Sequence, residues 1–198
     1  VGSEMCIRDS FSVEEARRVA QAARACGLAL TVHADQLSHS GGARLAAELG
    51  AQSADHLEYS DEADIAAMQA SGTAAVLLPG STFFLRQERW PLARRMLDAG
   101  LNVALSTDFN PGSSPVCNPA FIMHLAVTRL GMTPEESLRA FTRGAAAALG
   151  LDGQEWGCIQ AGSRAAFAIW DVEHEQELPY YAGSNLCAGV ITCRGWQD

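Results

Sequence analysis

The sequence predicts an α/β fold built on parallel strands, and three observations predict it. Short apolar runs recur in LALTVHA, AQSADHLE, TAAVLLPG and NVALSTDFNPG, with polar ends near residues 33, 56, 79 and 108. That step of roughly one strand plus one helix is what a parallel β/α sheet or barrel requires. Three of the runs end at or near His33, His56 and Asp108, and polar groups gathered at one rim of such a sheet make an enzyme.

Taken in order, Ser12 followed by Glu15 is a capping-box signature, and Val13, Ala16, Val19, Ala20 and Ala23 carry a helix on to Gly27. LALTVHA reads as a strand apolar enough to be buried on both faces. Helix GGARLAAELG follows, closed by Gly50 in a C-cap role. A short strand around Ala54, a helix over residues 61–70 and strand TAAVLLP repeat the order. A helix over residues 89–99 stops at Gly100, and LNVALST gives the next strand before the loop DFNPGSSPVCNP. Residues 120–130 form a helix. The next opens with Thr133-Pro134-Glu135-Glu136, a Thr N-cap with Pro at the first position and Glu at the third, and runs to Leu149. Beyond residue 155, the Gly-punctuated GCIQAGSRAAFAIWDV and then AGVITCRG read as strands of a small antiparallel extension. Four β/α steps are half of an eight-stranded barrel or a small open sheet, and the pattern leaves both open.

Composition bounds the partners. A chain of 198 residues with 48% hydrophobic content can bury a real core, and a net charge of -9 excludes a general nucleic-acid or anionic-membrane surface. No apolar stretch approaches the roughly 20 residues that span a bilayer. Six cysteines are scattered without a CxxC pair. Cys26, Cys117, Cys158, Cys187 and Cys193 therefore read as ordinary small apolar side chains in a reducing compartment. The expected class is a soluble, cytoplasmic, metabolic protein. Residues 1–10, VGSEMCIRDS, fit nothing that follows, look like translated adaptor sequence and read as a non-native or disordered leader.

Several side chains are candidates for chemistry. His33 offers an imidazole nitrogen to a borderline-soft divalent ion, with Asp35 and Gln36 polar directly after an apolar strand. His56 lies between Asp55 and Glu58. Those two carboxylates form either a solvated face or a setting in which His56 moves protons, with Glu58 orienting it. Asp108 ends a buried strand, so its carboxylate requires a cation, several donors or its own turn. A metal ligand that also accepts a proton from the attacking water satisfies that requirement. Asn110, Gly112 and Ser113 bring amide, backbone and hydroxyl groups to the same rim. Arg86 and Arg89 face an anionic substrate or simply the solvent. His39 and His124 are ligands in principle, although His124 lies on an apolar helix face beside Phe121 and Leu125. His174, in the run EHEQE, reads as exposed.

The stretches HADQLSHSGGARLAAELGAQSADHLEY, SGTAAVLLPGSTFFLR and LNVALSTDFNPGSSP, followed by TPEESLRAFTRGAAAALGL and AGSRAAFAIWD, resemble the imidazolonepropionase family. These are metal-dependent cyclic amidohydrolases of histidine degradation. The resemblance runs in order from residue 11 to about residue 190. It implies a partial (β/α)₈ TIM barrel made of the later strands over residues 11–154, and part of a composite C-terminal β-sandwich over residues 155–198. It also implies hydrolysis of the ring amide of 4-imidazolone-5-propanoate to N-formimino-L-glutamate with one zinc or iron ion and no organic cofactor. Carried onto this sequence, His33 and Asp108 are metal ligands. His56 polarises the carbonyl or helps to move the proton, and Asp108 passes a proton toward the leaving nitrogen. Gln36, Asn110, Gly112 and Ser113 contact the substrate. The family's HxH ligand pair from the first barrel strand is absent here, as are the residues that clamp the propionate. The expectation is a C-terminal half that is inactive alone, partnered by the missing N-terminal half in a full-length form that the family suggests is a homodimer. Another cyclic amidohydrolase or deaminase of the same superfamily is the alternative enzyme. A non-catalytic structural or interaction module is the alternative of another class.

Overall fold

A computed structural model describes residues 3–6, 11–151, 155–192 and 195–197. Five short strands, β1 (Ser3–Cys6), β2 (Leu30–Ala34), β3 (Ser53–His56), β4 (Ala74–Leu77) and β5 (Val103–Leu105), lie side by side in that order, and every neighbouring pair is parallel. Among the described residues this sheet stays open at β1 and β5, the arrangement of consecutive barrel strands without closure. Strand β1 falls inside the stretch expected to stand apart as a leader, and its backbone extends the sheet with Cys6 in register with His33. The rest of that stretch, Cys193 and the expected boundary at residue 154 lie outside the described residues.

The parallel register sorts side chains into two faces. Leu30, Val32, Ala54, Ala75, Leu77, Val103 and Leu105 are buried on the face packed by the helices α1 (Val13–Ala25), α2 (Gly42–Glu48), α3 (Glu62–Ser71), α5 (Ala93–Asp98) and α6 (Pro119–Leu130). Leu45, Ile65, Met68, Met96 and Ile122 from those helices are fully buried there. Each such side chain contributes about 1.5–3 kcal/mol of transfer free energy. On the opposite face His33, Asp55, Val76 and Ala104 form one row across four strands. The helices cover the apolar face completely, while His33, Asp55 and Val76 on the other face stay half-buried.

The helix ends follow the capping chemistry. Ser12 and Glu15 form the expected reciprocal box at α1, Thr133 and Glu136 form another before α7 (Pro134–Arg139), and Asp61 with Asp64 caps α3. Two boundaries differ from the pattern. The helix expected over residues 89–99 begins only at Ala93, because Pro91 disfavours helical backbone at Trp90. Strand β4 stops at Leu77, and a short helix α4 (Pro79–Phe84), with Pro79 at its first position, takes up what was read as strand end and loop.

The helix expected from Thr133 to Leu149 is not uniform. Helix α7 passes through a π-helical turn, Ala140–Gly144, into α8 (Ala145–Ala148). Gly144 ends this turn, and a Cβ there would sit 2.3 Å from the Val103 carbonyl oxygen, so only glycine lets the helix lie on β5. Asn102 Nδ2 donates to the Gly144 carbonyl at 3.1 Å and fixes the approach. Ala148 then reaches Ala74 and Ala104, with Val76 and Ala145 alongside, so the alanine run fills the end of the row that carries Asp55.

The C-terminal part is a three-stranded antiparallel sheet of β6 (Phe167–Trp170), β7 (Cys187–Thr192) and β8 (Gly195–Gln197). Among the described residues it is a single layer. A short helix α9 (Glu177–Tyr180) interrupts the charged run and packs through buried Leu178 and Pro179, while His174 is exposed as expected. Cys26 and Cys117 lie on the surface rather than in the core.

The loop between β2 and α2 is held by Asp35. Its Oδ1 accepts from the Ser40 amide at 2.8 Å, the Ser40 hydroxyl at 2.9 Å and the Gly42 amide at 3.2 Å. Its Oδ2 accepts from the Ala43 amide and the Ser60 hydroxyl, each at 3.1 Å. His39 on the same loop lies 2.8 Å from buried Asp64 Oδ2, which also accepts from the Asp61 amide at 3.0 Å. Arg44 donates to Asp64 Oδ1 at 3.4 Å. Ligand-type atoms of Asp35, His39 and Asp64 come within 4.8 Å of one another. Their carboxylates are already committed to amides, hydroxyls and a guanidinium, so the group is a closed structural network. The hydrogen bond to Asp64 raises the His39 pKa above its ordinary 6.5, against the opposing effect of burial.

Two outcomes follow for stability. Gly144→Ala places a methyl against backbone and lowers unfolding free energy by about 3 kcal/mol, read from the denaturant midpoint. The His39–Asp64 pair, with its raised folded-state pKa, stabilises fully below about pH 6.5 and loses that contribution as the pH rises through the elevated value. The midpoint gap between the parent and His39→Gln is therefore largest in acid and narrows as the pH rises above the ordinary 6.5 and through the raised value; a gap that widens with pH contradicts the assignment.

Candidate functional site

A cavity of about 410 Å³ opens where β2 to β5 end. His33 from β2, Asp55 and His56 from β3 and Asp108 from the segment after β5 line it, with Val76 and Leu78 as apolar wall. Gln36, Asn110 and Ser113 complete the polar rim, joined by Ser106. Its volume falls in the usual range of small-molecule sites.

The backbone is strained where these side chains leave the strands. Among the described residues five non-glycines have positive φ, and four surround this rim: Asp35 at 51°, His56 at 79°, Leu57 at 71° and Asp108 at 50°. Each costs on the order of 1–3 kcal/mol and persists only where surrounding contacts impose it. At His56 and Leu57 those contacts are visible. The Leu57 amide donates to the Ala34 carbonyl at 3.1 Å, the Tyr59 amide donates to the Asp35 carbonyl at 2.9 Å, and the Leu57 side chain is 0% exposed. The two left-handed residues end β3 abruptly and bring His56 to the cavity.

The His33 and His56 rings stand 4.2 Å apart between centroids, tilted by 41°. Behind His56, its Nδ1 lies 3.8 Å from Glu58 Oε1, and Glu58 is 0% exposed. The solvated-face reading of Glu58 is thereby corrected, since the turn at residues 56–57 swings it inward. Asp55 borders the cavity and accepts from the Ser53 hydroxyl at 2.7 Å. Gln36 Nε2 donates to Ser81 Oγ at 3.1 Å, while its Oε1 is buried with no hydrogen-bond partner.

The loop after β5 is organised by Asn110. Its Oδ1 accepts from the Gly112 amide at 2.9 Å and the Ser113 amide at 2.8 Å, and its Nδ2 donates to the Asp108 carbonyl at 2.6 Å. The Ser114 hydroxyl donates to the Thr107 carbonyl at 2.6 Å. Side chain and backbone thus fold the turn that presents Asp108. Gly112 itself is exposed outside the cavity, its amide committed to Asn110.

The structure therefore brings together His33, Gln36, His56, Asp108, Asn110 and Ser113. It leaves the other candidates elsewhere. Arg89 stacks over the Tyr59 ring at 4.8 Å, Arg86 is exposed, and His124 Nδ1 lies 2.9 Å from the Pro179 carbonyl. Sequence reasoning weighed Asp55 only as a neighbour of His56, although its register against His33 places both on one face of the sheet. It also missed Ser81 and Thr82, because the helix that carries them was read as loop.

The donors at the rim suit a borderline-soft or intermediate ion. An imidazole and a carboxylate are acceptable to zinc and to iron alike. The orphaned Gln36 Oε1 is an acceptor on the wall that calls for a donor in the cavity. Of the side chains at this rim, His33 and Asp108 could hold such an ion, fewer than the usual four ligands.

Comparison with known proteins agrees with this architecture. The model of the amidohydrolase family matches residues 8–192. Imidazolonepropionase of Shewanella sp. strain ANA-3 is 43% identical over 186 residues, 94% of this chain and 45% of the relative. That of Shewanella baltica strain OS185 is 42% identical over the same span. The chain thus spans less than half the length of these relatives. Among solved structures, an adenosine deaminase from Xanthomonas campestris with bound zinc superposes with a TM-score of 0.81 at 22% identity, covering 98% of this chain and 51% of that one. A triazine hydrolase variant gives 0.82 at 20% identity, covering 98% and 48%. These two share the fold, and with it the later strands of a (β/α)₈ barrel. Family model, parallel sheet and strand-end His, His and Asp agree: the chain belongs to the amidohydrolase family.

Proposed function

We propose that this chain carries half of the active site of a metal-dependent cyclic amidohydrolase that opens the ring of 4-imidazolone-5-propanoate to N-formimino-L-glutamate. The observation that carries the reading is the meeting of His33, His56 and Asp108 in one cavity at the strand ends. The similarity to the Shewanella imidazolonepropionases over nearly the whole chain supports the substrate.

The reaction adds water to a ring carbonyl and breaks its bond to nitrogen, so a proton must leave the water and reach the departing nitrogen. Asp108 is the carboxylate placed to take that proton and return it. His56 polarises the carbonyl or helps to move the proton, and Gln36, Asn110 and Ser113 orient the ring, while Gly112, outside the cavity, only helps to fold the loop. His33 and Asp108 would hold one zinc or iron ion, which when bound supplies Lewis acidity at the carbonyl. No organic cofactor is needed for this hydrolysis.

Two ligands are too few for a tight site. In this reading, the remaining histidines and the groups that clamp the propionate come from an N-terminal half beyond this chain, and the complete enzyme is a cytoplasmic homodimer. No helix among the described residues is long and apolar enough to cross a membrane.

The test is ring opening of imidazolonepropionate, followed by loss of its absorbance. The 198-residue chain alone is expected to be inactive even with added zinc. Mixed with the N-terminal half of a full-length relative, it regains metal binding and turnover, and Asp108→Asn in that complex lowers kcat by about 10²–10⁴-fold. Full turnover by the isolated chain overturns the half-site reading. Ammonia release from a cyclic amidine, with imidazolonepropionate untouched, moves the activity to a deaminase.

A further inference from the structure

We propose that Glu58 is a positioning residue that fixes the tautomer and orientation of the His56 ring, with Thr82 holding the carboxylate in place. This rests on the reading that His56 serves the reaction. The sequence separates the partners, and the fold joins them: Glu58 follows the left-handed pair His56-Leu57, and Thr82 lies on α4 directly after β4.

The geometry is directional. The Thr82 hydroxyl donates to Glu58 Oε1 at 2.7 Å, and both residues are 0% exposed. The same oxygen lies 3.8 Å from His56 Nδ1. His56 Nδ1 and Glu58 Oε2 are both buried with no hydrogen-bond partner. A carboxylate taken out of water with one neutral hydroxyl donor is expensive, and a ring N–H is the donor next to it. A movement of less than an ångström closes the gap into a charge-assisted hydrogen bond. The proton is thereby placed on Nδ1, and Nε2 is left as an acceptor for the cavity that His56 borders.

The neighbouring side chain argues for the same function of α4. Ser81, adjacent to Thr82, accepts from Gln36 Nε2 at 3.1 Å. Two consecutive buried hydroxyls thus brace two residues of the cavity wall, one directly and one through Glu58.

The test reads the ring directly. In the ¹⁵N-labelled 198-residue chain, ring nitrogen shifts of His56 are recorded at a pH about two units above the ordinary imidazole pKa of about 6.5. The expected result is a protonated Nδ1 and an unprotonated Nε2. In Glu58→Met, which removes the acceptor, the Nδ1–H preference is lost and the ring shifts move toward the Nε2–H tautomer, while amide-proton dispersion confirms that the chain is folded. A parent chain with its proton on Nε2, or a folded Glu58→Met with the parent tautomer, overturns the proposal. If Glu58→Met does not fold, the parent spectrum alone decides. No substrate enters the measurement, so an error in the ring-opening assignment leaves this result unaffected, and a failure here leaves the turnover assay standing.

Discussion

Parallel register is the constraint on which the rest of this molecule depends. Pairing His33 with Asp55 and Asp55 with Val76 aligns one side chain per strand along the sheet's inner face. A slip of one residue would send every member of that row into the apolar layer beneath the helices. The opposite face prevents the slip, because Val32, Ala54, Ala75 and Leu105 have no tolerance for being exchanged with polar neighbours. Core packing and site geometry are therefore the same fact seen from two sides.

At the strand ends the constraint changes character. Regular pairing cannot aim His56 or Asp108 into the cavity, and the chain leaves the β region at both through positive φ. The energy for that departure comes from local hydrogen bonding: the Asp35 carboxylate on one side, the Asn110 amide on the other, and the buried Leu57 between the histidine and Glu58. Strain at these residues and satisfaction around them belong together.

Much of this was legible in the sequence. The strand ends, the capping boxes at Ser12 and Thr133 and the rim residues from His33 to Ser113 follow from periodicity, cap chemistry and the family resemblance. What escaped did so for physical reasons. Helix α4 is six residues long and begins with Pro-Gly, which reads as a turn, so its hydroxyls at Ser81 and Thr82 went unnoticed. Glu58 looked solvated because charge beside charge usually is, and only the left-handed pair before it turns the side chain inward. The close approach of Gly144 to the Val103 carbonyl, at the end of the π-helical turn before α8, is a tertiary contact that helical periodicity does not encode.

The Asp35 carboxylate, filled by donors from Ser40, Gly42, Ala43 and Ser60, carries a consequence for assembly. Its bonds tie the loop after β2, the start of α2 and the segment before α3 into one knot that requires nothing from the cavity. The floor beside His33 is thus ordered by the polypeptide itself, and an incoming ion or ring loses little conformational freedom on the protein's behalf. Occupancy would then be governed by how many ligands are supplied, rather than by how readily the loops can be organised around them.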